Sequence, residues 1–218
     1  MSQPRLTVDL LCREARAFGE RESEHSEPSL FGVTDGKAVG TYLEHKFQAN
    51  LHDGYDYQEG SSAKGIDFPE LGVDLKVTSH RQPQSSCPYK AARQKLYGLG
   101  YSLLVFVYDK TDDENTRTAR LDILHTVFVT AERTADFQTT TGVRRIVENS
   151  GNVDDLLAFF AERRLPVDEI EANRLAEEVL VHPPDVGYLT ISNALQWRLQ
   201  YRRAIDKAGA VDGIVRVR

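Results

Sequence analysis

Two cysteines in 218 residues are too few for a disulfide framework, and Cys12 and Cys87 read as structural thiols rather than catalytic ones. No apolar run approaches the length of about 18 residues that a membrane span requires. The N-terminal stretch also lacks an apolar signal segment, so a cytoplasmic chain with no membrane partner is expected. The six histidines stand at positions 25, 45, 52, 80, 125 and 182, with no His/Cys pairing at zinc-ligand spacing. A glycine-rich loop for cradling nucleotide phosphates is missing, which argues against ATP-driven chemistry. So is a nucleophile elbow, which leaves Ser-His-Asp catalysis without support. Internal repeats and low-complexity segments are absent too.

What remains is an ordinary globular composition, 40% hydrophobic and 28% charged, with enough residues for a sizeable core. The net charge of −6 argues against a protein that coats nucleic acid, but the charge is unevenly placed. From Leu75 to Tyr108 there is no Asp or Glu, while Lys76, Arg81, Lys90, Arg93 and Lys95 contribute +5. From Gln196 onward the balance is +4, leaving −15 for everything else. Two basic segments in an acidic remainder suit a cleft that grips a phosphate backbone. Plain charge clustering is the bland alternative.

The densest chemistry lies between Gly65 and Thr78. Val73, Leu75 and Val77 alternate with Asp74, Lys76 and Thr78, which predicts a strand with an apolar face toward the core and a polar face away from it. The Phe68–Gly72 stretch predicts a tight turn after an earlier strand, bringing Asp67 beside the polar face. Two carboxylates and an ammonium converging at a sheet edge suit Mg²⁺ and the in-line attack of water on a phosphodiester. Acid-x-Lys alone is a weak signal. It occurs three times, at Asp35-x-Lys37, Glu44-x-Lys46 and Asp74-x-Lys76, and only the last falls on an apolar-alternating strand with another acid seven residues upstream. The competing reading is a pair of solvated charges on an ordinary strand.

Asp67, Asp74 and Lys76, with Phe68-Pro69 between the acids, resemble the PD-(D/E)xK nuclease signature. The run from Asp67 to Lys76 is similar to the MutH-type subgroup, which includes a mismatch-repair nicking enzyme and type II restriction endonucleases. That subgroup carries an upstream helical glutamate after Gly-x-x-Leu, and Gly40-Thr41-Tyr42-Leu43-Glu44 fits it. The chain departs from the subgroup in having Asp74 where Glu is usual. The resemblance covers roughly residues 36 to 108. It implies an α/β (α+β) restriction-endonuclease-like core, with a mixed central sheet flanked by helices. It also implies a Mg²⁺-dependent enzyme cutting double-stranded DNA site-specifically, most plausibly a type II restriction enzyme. Asp67, Asp74 and the Leu75 carbonyl would hold the metal, Lys76 would place or activate water, and Glu44 would orient Lys76 or help a second metal. A site-specific nicking enzyme and a non-catalytic DNA-binding module are the alternatives. A homodimer is left open.

Around that motif the pattern predicts three regions: an N-terminal helix and linker (1–30), a nuclease core (31–130) and a helical DNA-contact region (131–218). Helices are expected over residues 6–20 and 37–50, the latter carrying a Val39, Leu43, Phe47 stripe with Glu44 at its rim. A linker is expected from Arg21 to Pro28, and a first hairpin strand within 52–62. The loop from Ser79 to Pro88 offers His80, Arg81 and Gln82 to DNA, and a helix ending at Gly98 adds Lys90 and Arg93. Residues 101–108 read as a strand buried on both faces, and 120–129 as another strand. Two further helices are expected at 153–164 and 167–181. A last helix opening near Ser192 would present Arg198, Arg202 and Arg203, whose forked guanidinium groups suit base edges in the major groove. A scaffold role for that helix is equally open.

Overall fold

The computed structural model describes residues 3–60, 65–191 and 198–218. Its first helix, α1 (Val8–Glu22), is capped by the Thr7 hydroxyl, which accepts from the Leu10 amide at 3.3 Å. Leu11, Ala15, Phe18 and Glu22 form its buried stripe. The expected linker is partly structured: after α1, the short strand β1 (Ser26–Glu27) pairs with a later strand. Next comes α2 (Gly36–His52), with Asp35 as N-cap and Val39, Leu43, Phe47 and Leu51 buried one turn apart. Phe18, Phe47 and Phe106 meet at ring-centroid separations of 5.2 to 5.7 Å and lock both helices onto the sheet.

Strand β2 (Val73–Ser79) follows, then the short β3 (Gln84–Ser86) and helix α3 (Ala92–Tyr97). Gly98 ends α3 at φ +82°, where a Cβ would sit 2.6 Å from the Ala131 carbonyl oxygen. The long strands β4 (Ser102–Asp113) and β5 (Thr118–Val129) form a hairpin, and residues 103–108 are buried as the apolar run predicts. Three helices come next: α4 (Phe137–Glu148), α5 (Val153–Glu162) and α6 (Glu169–Val181). They pack with α3 into a separate apolar cluster around Leu96, Val143, Leu156 and Leu175.

The last stretch contains β6 (Thr190–Ile191), β7 (Arg198–Gln200), the short helix α7 (Arg202–Lys207) and β8 (Ile214–Arg216). The helix expected to open near Ser192 is therefore corrected at residues 198–200, which form β7, while Arg202 and Arg203 do lie on a helix, α7. Arg198 and Gln200 lie on a strand whose residues alternate exposed, buried, exposed, and residues 192–197 lie outside the described residues. The central sheet runs β1-β5-β4-β2, with β8 sharing the outer side of β5 with β1. It is mixed: β2 and β4 are parallel, and the other pairings are antiparallel. β2 is an edge strand. A second sheet, β3-β7-β6, joins residues more than 100 positions apart.

Candidate active site

Phe68 fixes the approach to the site. It is buried against Tyr57, and its amide and carbonyl bond those of Val73 at 2.9 and 3.2 Å. Gly72 turns the chain at φ +61°. The expected hairpin strand before this turn is not formed among the described residues; Asp67 lies on irregular chain joined to the Phe68–Val73 bridge. The turn still brings Asp67 to β2, where its Oδ2 accepts from the Leu75 amide at 2.8 Å.

Asp74 does not project into solvent as the alternation predicts. It is only 3% exposed, because the polar side of β2 is covered rather than open. Thr78, two positions beyond Lys76, bonds both the amide (2.9 Å) and carbonyl (3.1 Å) of Gln84, clasping β3 against β2. Asp74 Oδ2 lies 2.5 Å from Lys76 Nζ, which also donates to the Leu75 carbonyl at 3.1 Å. Burial, and then hydrogen bonding with the Asp67 carboxyl, push Asp74 up to about 7 despite Lys76. Glu44 reaches the same place from α2, half-buried. Its pKa is raised by burial and then by the Asp67 charge. Glu44, Asp67, Asp74, Leu75 and Lys76 together line a cleft of about 270 Å³. All four side chains predicted to form the site thus come together.

Among the described residues no group of three or more His, Cys, Asp or Glu side chains forms a ready-made metal cage. The donors present are two abutting carboxylates and a carbonyl. That set suits Mg²⁺, which is held by one or two carboxylates and keeps several waters. The crowded pair is itself an argument for a cation, because two adjacent carboxylates cannot both ionise cheaply without one.

The predicted DNA-contacting residues divide. Arg81 stays at the surface, 78% exposed and 3.5 Å from Asp109, and Gln82 and Lys90 are exposed beside it in sequence. His80 lies near His125 and accepts a hydrogen bond from Arg202 at its carbonyl (3.4 Å), so the two predicted segments meet. Arg93 is tied elsewhere: it grips Glu178 of α6 with three bonds and stacks on Tyr97. Arg203 lies flat over the Phe137 ring at 3.7 Å, and Arg198 is exposed on β7. Lys95, counted in the basic segment, is buried with its pKa lowered by desolvation. A larger groove of about 520 Å³ adjoins the cleft, sharing Glu44 and Lys76 and extending between α2 and β3. Lys37, Thr41 and Ser86 line it; Ser86 belongs to the loop expected to touch DNA, while Lys37 and Thr41 escape the sequence reading. The available signal was Asp35-x-Lys37, set aside for lying on no apolar-alternating strand.

A family model described as type II restriction enzyme NspV matches residues 5–216. The type II restriction enzyme NspV of a Nostoc species is 63% identical over 212 residues, 97% of this chain and 96% of the relative. No solved structure matches.

Proposed function

The chain belongs to the type II restriction enzyme NspV family, and from that premise we propose how its residues cut double-stranded DNA at specific sites with Mg²⁺. The carrying observation is the pressed pair Asp67 and Asp74, with Asp74 raised to about 7 beside Lys76 and Glu44. Asp67, Asp74 and the Leu75 carbonyl are the residues that would hold Mg²⁺. When bound, the ion supplies charge neutralisation for the phosphorane-like transition state and makes water easier to deprotonate.

Lys76 has its ammonium at the mouth of this donor set, where it positions the attacking water and stabilises negative charge on the phosphate oxygens. Glu44 sits close enough to feel the Lys76 charge and steadies that side chain. Burial of Asp74 excludes bulk water, which strengthens each of these interactions. DNA would be met by the exposed side chains of Arg81, Gln82, Lys90, Arg198 and Arg202.

Incubating purified protein with a large phage DNA and Mg²⁺ tests this reading. Discrete bands are expected, and substitution by Ca²⁺ should leave specific binding with little product, since Ca²⁺ takes longer contacts and more ligands. Relaxed circles from supercoiled plasmid would replace double-strand cutting with nicking. DNA left intact by folded wild-type protein would overturn the assignment.

A further inference from the structure

Helix α2 runs alongside the DNA groove before it delivers Glu44. Gly36, Gly40 and Glu44 stand four residues apart on one face, and Lys37 and Thr41 flank that face. Ser86 faces them from β3, with Lys76 and Val77 also on the lining. The groove shares Glu44 and Lys76 with the catalytic cleft, so the two spaces are continuous. A strand whose scissile phosphate lies at Asp67 and Asp74 has to extend along it.

Lys37 is exposed and makes no ion pair among the described residues, whereas Arg81 and Arg93 each meet a carboxylate. Its backbone is held by the Asp35 cap at 3.0 Å, so the side chain departs from a fixed helix start. Seven residues of helix separate Lys37 from Glu44, an axial distance of about 10 Å at 1.5 Å per residue. That length exceeds the separation of neighbouring phosphates on one strand, so Lys37 meets a phosphate flanking the cut and not the scissile one. The glycines add a separate point. A Cβ at Gly40 would meet nothing nearer than Val77 at 3.9 Å, and one at Gly36 nothing nearer than the Tyr108 hydroxyl at 3.9 Å. Packing inside the protein therefore tolerates alanine at both. Gly36 opens the helix and is exposed, whereas Gly40 is buried against the sheet, so only Gly36 leaves its backbone bare to the groove.

We propose that Lys37 and Thr41, on the groove side of α2, form a track for the DNA backbone, with Lys37 binding a phosphate that flanks the cut. This rests on the endonuclease reading above. Lys37 supplies charge and Thr41 a hydroxyl donor, and the exposed Gly36 backbone allows the sugar-phosphate chain to approach closely. These contacts carry no base information and set the register of the scissile phosphate.

The test uses the wild-type cut site, mapped on DNA of known sequence, and duplexes bearing one neutral methylphosphonate at each position around it. Wild-type affinity in Ca²⁺ should drop about tenfold at one flanking position. Lys37→Gln should bind natural DNA about tenfold more weakly, raise KM more than it lowers kcat, and lose nothing further at that one position. As a second variant, Thr41→Val should bind natural DNA more weakly in Ca²⁺ while melting as wild type does, a split that a purely structural threonine does not produce. Equal methylphosphonate penalties for wild type and Lys37→Gln at every position would overturn the track, as would a Thr41→Val protein with wild-type affinity. Wild-type protein that cuts nothing would instead remove the endonuclease reading and the track together.

Discussion

Helix α2 stands between two groups of carboxylates that are built in opposite ways. On one side Glu22, Glu27, Tyr42 and Lys46 form a closed network. Tyr42 Oη lies 3.1 Å from Glu22 and 2.9 Å from Glu27, and Lys46 Nζ reaches Glu22 at 2.8 Å and Tyr42 at 2.5 Å. Hydrogen bonds from Ser29, then from Tyr42 and His25, outweigh burial and hold Glu27 down at about 2. On the other side Asp67, Asp74 and Glu44 crowd around one lysine, and burial, then hydrogen bonding with Asp67, drives Asp74 up to about 7. Each acid of the first group has found its partners within the chain. In the second group the acids remain short of positive charge, which is the condition of a site waiting for a cation and a phosphate. Residues two positions apart on one helix thus serve structure and chemistry separately.

The largest effect should come from relieving the crowded group. Asp74→Asn keeps the volume, removes a repelling carboxylate and deletes a metal donor. Cleavage should fall by at least about a thousandfold, several kcal/mol in the transition state, while the metal-free protein melts at a higher temperature. Near-normal turnover, or a lower melting point without metal, would put Asp74 in the same class as Glu22. The converse experiment is Lys46→Met, which leaves Glu22 buried and without its cation. A loss of about 1–3 kcal/mol in urea unfolding is expected, with kcat per folded molecule retained. Unchanged unfolding would show that the closed network contributes nothing to stability.

A smaller effect is expected at Glu44, whose proposed role is to steady Lys76 and not to hold the crowded pair together. Glu44→Gln should slow cleavage about tenfold, about 1.4 kcal/mol, clearly less than Asp74→Asn. An effect no larger than that of an exposed helical Glu→Gln control would remove Glu44 from the site. The subtlest test uses acid. A carboxylate whose pKa is lowered by folding contributes stability that is whole above its unfolded value of 4.5 and is lost as pH falls toward about 2. Wild type should therefore melt above Glu27→Gln at pH 6, and the gap should close between pH 4.5 and 2. A constant gap over that range would detach Glu27 from the network.

The elements that carry the candidate site were more legible than its surroundings. Period-2 alternation located β2, and the i, i+4, i+8 stripe located α2, because one element's burial pattern is written in consecutive residues. Burial of Asp74 was not legible, since the groups close to it include Tyr101 and the buried Tyr201, which stand far along the chain. Residues 198–200 alternate as a strand should, but three residues are too few to distinguish from a helix face. Arg93 and Lys95 read as cleft cations, yet their partners lie in α6 and in the chain interior, contacts that no local pattern encodes.

Asp67 has a second duty, arising from the position of β2 at the sheet margin. A strand with one unpaired side offers its amides and carbonyls to any other extended chain, which invites intermolecular sheet growth. The Leu75 amide on that side is occupied by the Asp67 carboxylate, and the Leu75 carbonyl by the Lys76 ammonium. The groups assigned to hydrolysis therefore also blunt a template for aggregation. In the proposed mechanism Asp67 and Lys76 serve solubility and cleavage alike, and a variant that loses Asp67 both gives up a metal donor and uncovers the Leu75 amide.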